Sequence, residues 1–120
     1  MYNLMAGKKK NSMRVRTFTA REMVYPKGSK YLAVSLDFDL FAEGSTLGEA
    51  MDRLKEASIG YIRVSCKDNE ADKEIYRLAP KKYFDIYELL KELDEKKKKE
   101  KVREGFIGKA TYDSLALAHA

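Results

Sequence analysis

The chain has 120 residues, of which 44% are apolar and 36% charged, with a net charge of +5 and one cysteine, Cys66. This length and composition predict one globular domain and exclude a disordered chain. No apolar run approaches the roughly 20 residues of a membrane helix, and one cysteine supports neither an internal disulfide nor a cysteine-based zinc site. We therefore expect a cytoplasmic protein.

The positive charge is concentrated at the start of the chain, because six basic residues precede the first acidic one, Glu22. Residues 1–12 lack apolar periodicity and are predicted to form a mobile basic leader. Such a segment can bind nucleic acid electrostatically, although short terminal lysine runs more often only solvate the chain. The candidate residues here are Lys8, Lys9, Lys10, Arg14 and Arg16.

Two strands are predicted after the leader. The first runs from Met13 to the turn at residues 26–29, and residues 31–36 form the second, which pairs antiparallel with it. In the second strand, apolar side chains at alternate positions predict one buried face. They are Leu32, Val34 and Leu36, alternating with Tyr31, Ala33 and Ser35.

The segment Asp37-Phe38-Asp39 allows two interpretations, one long strand or a tight turn into a third strand over residues 40–43. Aspartate is unfavourable inside strands and common in turns, which favours the hairpin. Next, Thr46 and Glu49 have the spacing of a capping box and predict the start of a helix. Apolar residues at three- and four-residue spacing continue it to about Cys66.

The second half of the chain has weaker signals. Residues 75–79 are predicted as a fourth strand or an extended segment that ends at Pro80. Residues 81–104 are predicted as an amphipathic C-terminal helix, and residues 105–120 as a tail that forms a short helix or is disordered. The basic run Lys96, Lys97, Lys98 and Lys99 is a second candidate for phosphate contacts, although a solvated helix end is the favoured interpretation.

Catalytic chemistry has few candidates. Asp37 and Asp39 are the only closely paired acids that suggest a metal-dependent nuclease, and a two-metal site needs more carboxylates from several elements. His119 lies beside the chain end, and Cys66 has no histidine partner in a structured region. We expect no enzyme activity, no metal and no cofactor.

Residues 30–50 carry a more specific pattern, in which two strands lead to Gly44 and then to a helix that begins Thr46, Leu47, with Glu49 and Ala50 in its first turn. Over residues 13–66 the chain resembles the HicB-family antitoxins and their stand-alone relatives. The resemblance implies a β-β-β-α-β core, a degraded relative of the RNase H arrangement. Residues 13–80 would then form an α+β domain with a three-to-four-stranded, largely antiparallel sheet, one main helix on it, and a C-terminal helix beyond.

The resemblance also implies a function, which is to bind and block a HicA-like toxin that cleaves mRNA, as a homodimer or larger homo-oligomer. Two departures are evident: the family's proline-rich turn is missing, and no C-terminal DNA-binding element follows Tyr83. The sequence therefore leaves three hypotheses of different classes. In order of preference they are an antitoxin-like interaction module, a weak nucleic-acid binder, and a vestigial nuclease using Asp37 and Asp39.

Overall fold

The computed structural model describes residues 16–96 and 105–113. In chain order the elements are β1 (Thr17–Lys27), β2 (Lys30–Ser35), β3 (Leu40–Gly44), α1 (Leu47–Lys67), α2 (Asp72–Ile75), α3 (Lys81–Lys96) and β4 (Phe106–Asp113). The strands form one antiparallel sheet in the order β3-β2-β1-β4. The predicted α+β class, with a main helix packed on the sheet and a further helix, is confirmed. Within the described ranges no helix is both long and apolar enough to cross a membrane.

The sheet is covered on both faces. On one face, α1 packs on alternate residues of the central strand β1, including Phe18 and Val24, and on the other face α3 packs on Met23. The prediction that β2 has one buried face is therefore wrong. Ala33 and Ser35 are as completely buried as Val34, because each face of β2 lies under a different helix.

Both predicted turns are present. Gly28 has φ +65° in the β1–β2 hairpin, a conformation that glycine adopts without steric cost. The hairpin interpretation of Asp37-Phe38-Asp39 is confirmed, since these residues lie between β2 and β3 and the Asp39 amide donates to the Ser35 carbonyl at 2.9 Å. Asp39 takes the left-handed conformation (φ 56°), which aspartate tolerates in turns.

Phe38 fixes this turn to the core. Its side chain is 1% exposed, and its ring centroid lies 5.6–6.2 Å from those of Tyr61, Tyr76 and Tyr112. These three rings come from α1, the segment after α2, and β4. A turn residue that is apolar and completely buried therefore ties together parts of the chain that are far apart in sequence.

The segment after α1 crosses from one face of the sheet to the other. Ile75 lies in the single-turn helix α2, and residues 76–80 belong to no strand, so the strand interpretation of residues 75–79 is wrong. Tyr76 is extended, and the amides of Arg77 and Ala79 donate to the carbonyls of Asp37 and Leu36 at 2.7 and 2.9 Å. Of the two predictions for this segment, a strand or an extended segment that ends at Pro80, the extended segment therefore describes residues 76–80 better.

The fourth strand lies in the tail. The sequence predicts a short helix or disorder there, and residues 106–113 instead form β4, which pairs with β1 from Thr17↔Asp113 to Val24↔Phe106. The prediction is wrong because the partner strand is distant in sequence and gives β4 no local signal. The lysine run 97–99 and residues 114–120 lie outside the described residues.

Replacement of Phe38 tests its role as the anchor of the turn. We expect Phe38→Ala to lower the free energy of unfolding by about 3–5 kcal/mol, because a completely buried ring leaves a cavity among three others. Phe41→Ala is the matched control and should cost only about 1 kcal/mol, because Phe41 is 39% exposed. Urea denaturation followed by circular dichroism measures both changes in the free energy of unfolding. Equal losses for the two variants would contradict the role of Phe38 as the anchor of the turn.

Candidate functional site

The motif predicted from sequence forms the junction between β3 and α1. Thr46 is the N-cap, and its hydroxyl accepts from the Glu49 amide at 3.0 Å. The Glu49 carboxylate accepts from the amide of Ser45, one residue before the cap, at 2.6 Å. Gly44 lies directly against the helix, where an added Cβ would come within 2.5 Å of the Ala50 amide nitrogen. The predicted motif is thus a close-packed structural joint.

The predicted nucleic-acid residues lie mostly outside the described part of the chain. Arg16 is the one whose side chain the structure describes, and its guanidinium contacts the Asp72 carboxylate and the Glu70 carbonyl and lies over the Phe18 ring. Arg16 therefore joins the start of β1 to the region of α2. Lys96 ends α3, and Lys8, Lys9, Lys10, Arg14, Lys97, Lys98 and Lys99 lie outside the described residues.

Asp37 is engaged by Arg21, a partner that the sequence patterns did not reveal. The Arg21 amide, Nε and Nη2 all donate to the Asp37 carboxylate, at 2.8, 3.1 and 2.6 Å. The guanidinium also stacks over the Phe84 ring of α3, 5.1 Å from its centroid. This arrangement joins β1, the β2–β3 turn and α3, so Asp37 has a structural role in the turn.

The ion pair lowers the pKa of Asp37. Burial alone would raise the pKa of the carboxyl, but the hydrogen bonds from the Arg21 side chain and amide outweigh it and lower the pKa below its usual 3.8. Asp39 is exposed. Among the described residues no group of three or more histidine, cysteine, aspartate or glutamate side chains is arranged to hold a metal ion.

A buried polar cluster lies between the sheet and α1. Glu22 is 6% exposed, and its carboxylate accepts a hydrogen bond from the Tyr112 hydroxyl of β4 at 3.0 Å. The hydroxyls of Ser35 and Ser58 are also buried, and neither makes a hydrogen bond of good geometry to a described residue. The alternation of side chains along β1 could have indicated that Glu22 is buried, because Glu22 lies on the same face of the strand as Phe18 and Val24.

Burial shifts the pKa values of this cluster. Removal from water raises the pKa of Glu22, against the opposing effects of the Tyr112 hydrogen bond and the Lys55 charge. Burial likewise raises the pKa of Tyr112 to about 12, and the neighbouring Glu22 adds to the rise. The tyrosine therefore stays a donor at neutral pH, which stabilises the Glu22 carboxylate.

The outer face of α3 combines exposed carboxylates with an exposed leucine. Asp85, Glu88, Leu89 and Glu92 have the three- and four-residue spacing of one helix face, and all are exposed. Leu89 is 55% exposed. Lys81 pairs with Asp85 at 3.2 Å, and Lys91 approaches Glu88 at 3.9 Å. We call the surface formed by Asp85, Glu88, Leu89 and Glu92 the acidic α3 face.

Comparison with known proteins adds no relative, since no family model, curated protein or solved structure matches this chain.

The close approach at Gly44 is testable by adding one methyl group. Gly44→Ala should destabilise the fold by about 1–3 kcal/mol, because the new Cβ would push against the backbone of Glu49 and Ala50 and the helix would have to move. The control is Gly60→Ala, where nothing lies within 4 Å of the added Cβ and alanine should stabilise α1 by about 0.5–1 kcal/mol. Thermal unfolding measures both changes in stability, which should have opposite signs. A Gly44→Ala variant as stable as the wild type would show that Gly44 is not closely packed against α1.

The Arg21–Asp37 pair predicts how acid affects stability. A carboxyl whose pKa is lowered by folding adds stability above its unfolded pKa, near 3.8, and loses it as pH falls through the folded value. Asp37→Asn should therefore lower the free energy of unfolding by about 1–2 kcal/mol at neutral pH. The free energy of unfolding of this variant should also fall less steeply than that of the wild type as the pH is lowered. The control Asp85→Asn breaks an exposed pair and should cost about 0.3 kcal/mol.

Urea unfolding from pH 7 to pH 3 measures this dependence. Glu22 contributes in the opposite direction, because folding raises its pKa, so its contribution is largest in acid and is lost as pH rises. The diagnostic quantity is therefore the difference between wild type and Asp37→Asn, in which the Glu22 contribution cancels. A difference that does not shrink in acid would show that Asp37 is not the responsible carboxyl.

Proposed function

We propose that this chain is a HicB-like interaction module that binds a small, basic partner protein of the mRNA-cleaving toxin type and also self-associates. The resemblance over residues 13–66 suggests this class. The close-packed junction of Gly44, Thr46 and Ala50 supports it, because Thr46 and Glu49 cap the helix and Gly44 permits its close approach. Leu47, the other residue of the shared motif, packs against the core beside Ala50.

The observation that carries the proposal is the acidic α3 face. Interfaces commonly combine an apolar anchor at the centre with a polar rim that fixes register and orientation. Leu89 supplies an exposed apolar side chain, and Asp85, Glu88 and Glu92 place carboxylates on the same helix face. Two of them also lie near lysines of α3, in the exposed pairs Lys81–Asp85 and Lys91–Glu88, which a basic partner can replace. A basic partner is attracted by these charges and buries the leucine.

The rest of α3 is suited to support such a contact. The opposite side of the helix packs into the core through Tyr87 and Leu90, which are 8% and 7% exposed. The outward residues are therefore presented from an element fixed to the sheet. A rigid helix face loses little conformational entropy when it binds.

Co-expression with the neighbouring open reading frames, followed by affinity purification and mass determination, tests the proposal. The expected result is a stable complex with a small basic protein. Leu89→Arg should weaken this complex by about thirtyfold, because it replaces the apolar anchor with a charge that repels a basic partner. Isothermal titration measures the change in affinity.

Val64→Arg is the matched control, because Val64 is also an exposed apolar residue, 57% exposed, on helix α1. It should leave affinity unchanged. Equal weakening by both variants would refute the acidic α3 face as the docking site, and the absence of any small basic partner would refute the proposed function. Binding to RNA or DNA that weakens as salt rises would favour the nucleic-acid hypothesis instead.

A further inference from the structure

The two edges of the sheet differ in how they are protected. Hydrogen bonding along β1 shows which residues of each strand point outward. The Thr19 amide donates to the Tyr76 hydroxyl, the Arg21 amide donates to Asp37, and the Arg21 carbonyl accepts from Leu36. These groups therefore point away from β4, so Thr19 and Arg21 form non-hydrogen-bonded pairs with their partners in that strand.

The partners of these two residues in β4 must also point outward. Thr19 pairs with Thr111 and Arg21 with Lys109, and in a non-hydrogen-bonded pair both residues direct their amides and carbonyls away from each other. By alternation Ile107 and Asp113 share this orientation. Within residues 16–96 and 105–113 no strand pairs with this outer edge. Unpaired edge groups of this kind form a template for another strand.

The opposite edge is shorter and is partly engaged by the chain's own side chains. Along β3 the same alternation leaves Phe41 and Glu43 pointing outward. The Glu43 carbonyl accepts from Arg53 Nη1 at 2.9 Å, and Arg53 is itself held by Glu49 at 3.1 Å. The Phe41 ring lies edge-on to Tyr83, 4.9 Å between centroids. β3 is also short, at 5 residues against 8 in β4.

We infer that β4 pairs with β4 of a second copy of this chain, in an antiparallel register centred on Thr111. This register opposes Thr111 to its own copy and Lys109 to Asp113 of the second copy, so three of the four outward-pointing residues of β4 pair with one another. The two-fold axis makes the Lys109–Asp113 contact twice. Centring on Lys109 instead would place two lysines opposite each other, which is unfavourable. A register centred on Ala110 would also pair the outward residues, but it places Lys109 opposite Thr111 and makes no pair of opposite charges. The register centred on Thr111 is the one that places Lys109 directly opposite Asp113, so charge favours it, and the product is a continuous eight-stranded sheet.

This inference deepens the self-association that forms part of the proposed function, and it uses a different surface from the acidic α3 face. Sedimentation equilibrium of the purified chain tests it without any partner. Lys109→Asp and Asp113→Lys should each weaken the dimer about tenfold, because each places like charges opposite each other twice. The double variant restores opposite charges and should restore dimerisation.

Three outcomes would overturn the inference: a wild-type chain that is monomeric at every concentration, a dimer that neither single variant weakens, or a double variant that restores nothing. Failure of the proposed function is distinguishable, because it is the absence of a small basic partner after co-expression. A monomer that still captures such a partner would reject only the β4 interface.

Hydrogen exchange on the wild-type chain gives a second measurement that needs no variant. The amides of Lys109, Thr111 and Asp113 should exchange more slowly as protein concentration rises, because they become hydrogen-bonded only in the dimer. The amides of Ala110 and Tyr112 alternate with them and face β1, so they should be protected at all concentrations. Outward amides whose exchange does not depend on concentration would overturn the inference.

Discussion

Strand β1 is the constraint on which the structure depends, because it is paired along both edges and covered on both faces. β2 and β4 satisfy its backbone groups, and α1 and α3 bury its alternate side chains. A strand in this position cannot leave a polar backbone group without a partner. Where β2 ends at Ser35, the turn and the crossing segment take over, through Leu36, Asp37 and the Tyr76 hydroxyl. The β2–β3 turn is therefore an extension of the sheet.

The same constraint explains why charged groups lie close to the core. Arg21 and Glu22 are neighbours in β1 and point to opposite faces. Arg21 reaches past the end of β2 to Asp37 and stacks on Phe84, so its charge is paired near the edge of the α3 layer. Glu22 lies under α1 and has only the Tyr112 hydroxyl as a described hydrogen-bond donor. These surroundings determine the two pKa shifts: the pKa of the paired Asp37 is lowered, and that of the buried Glu22 is raised.

The features that could be predicted from sequence are those with local causes. Thr46 and Glu49 specify the helix start three residues apart, and two aspartates specify the turn. β4 was harder to predict in this way, because Gly108 interrupts the alternation of Phe106, Ala110 and Tyr112 on its α1 side. Its stability comes from pairing with β1, far away in sequence. The double coverage of β2 was missed for the same reason, since the helix on its second face begins more than forty residues later.

The candidate surfaces were harder to foresee than the fold, because exposure is a property of the assembled layers. Leu89 belongs to an amphipathic helix, α3, and the sequence of this helix does not show which of its leucines are buried against the sheet and which remain exposed. The outward direction of Thr111 depends on hydrogen bonds made by Thr19, on the other strand of the pair. The two surfaces also point in different directions: the acidic α3 face is normal to the sheet, while the edge of β4 lies in its plane. If both proposals hold, a basic partner and a second copy of the chain would bind to separate surfaces, and pairing at β4 would present two acidic α3 faces on the same side of one continuous sheet.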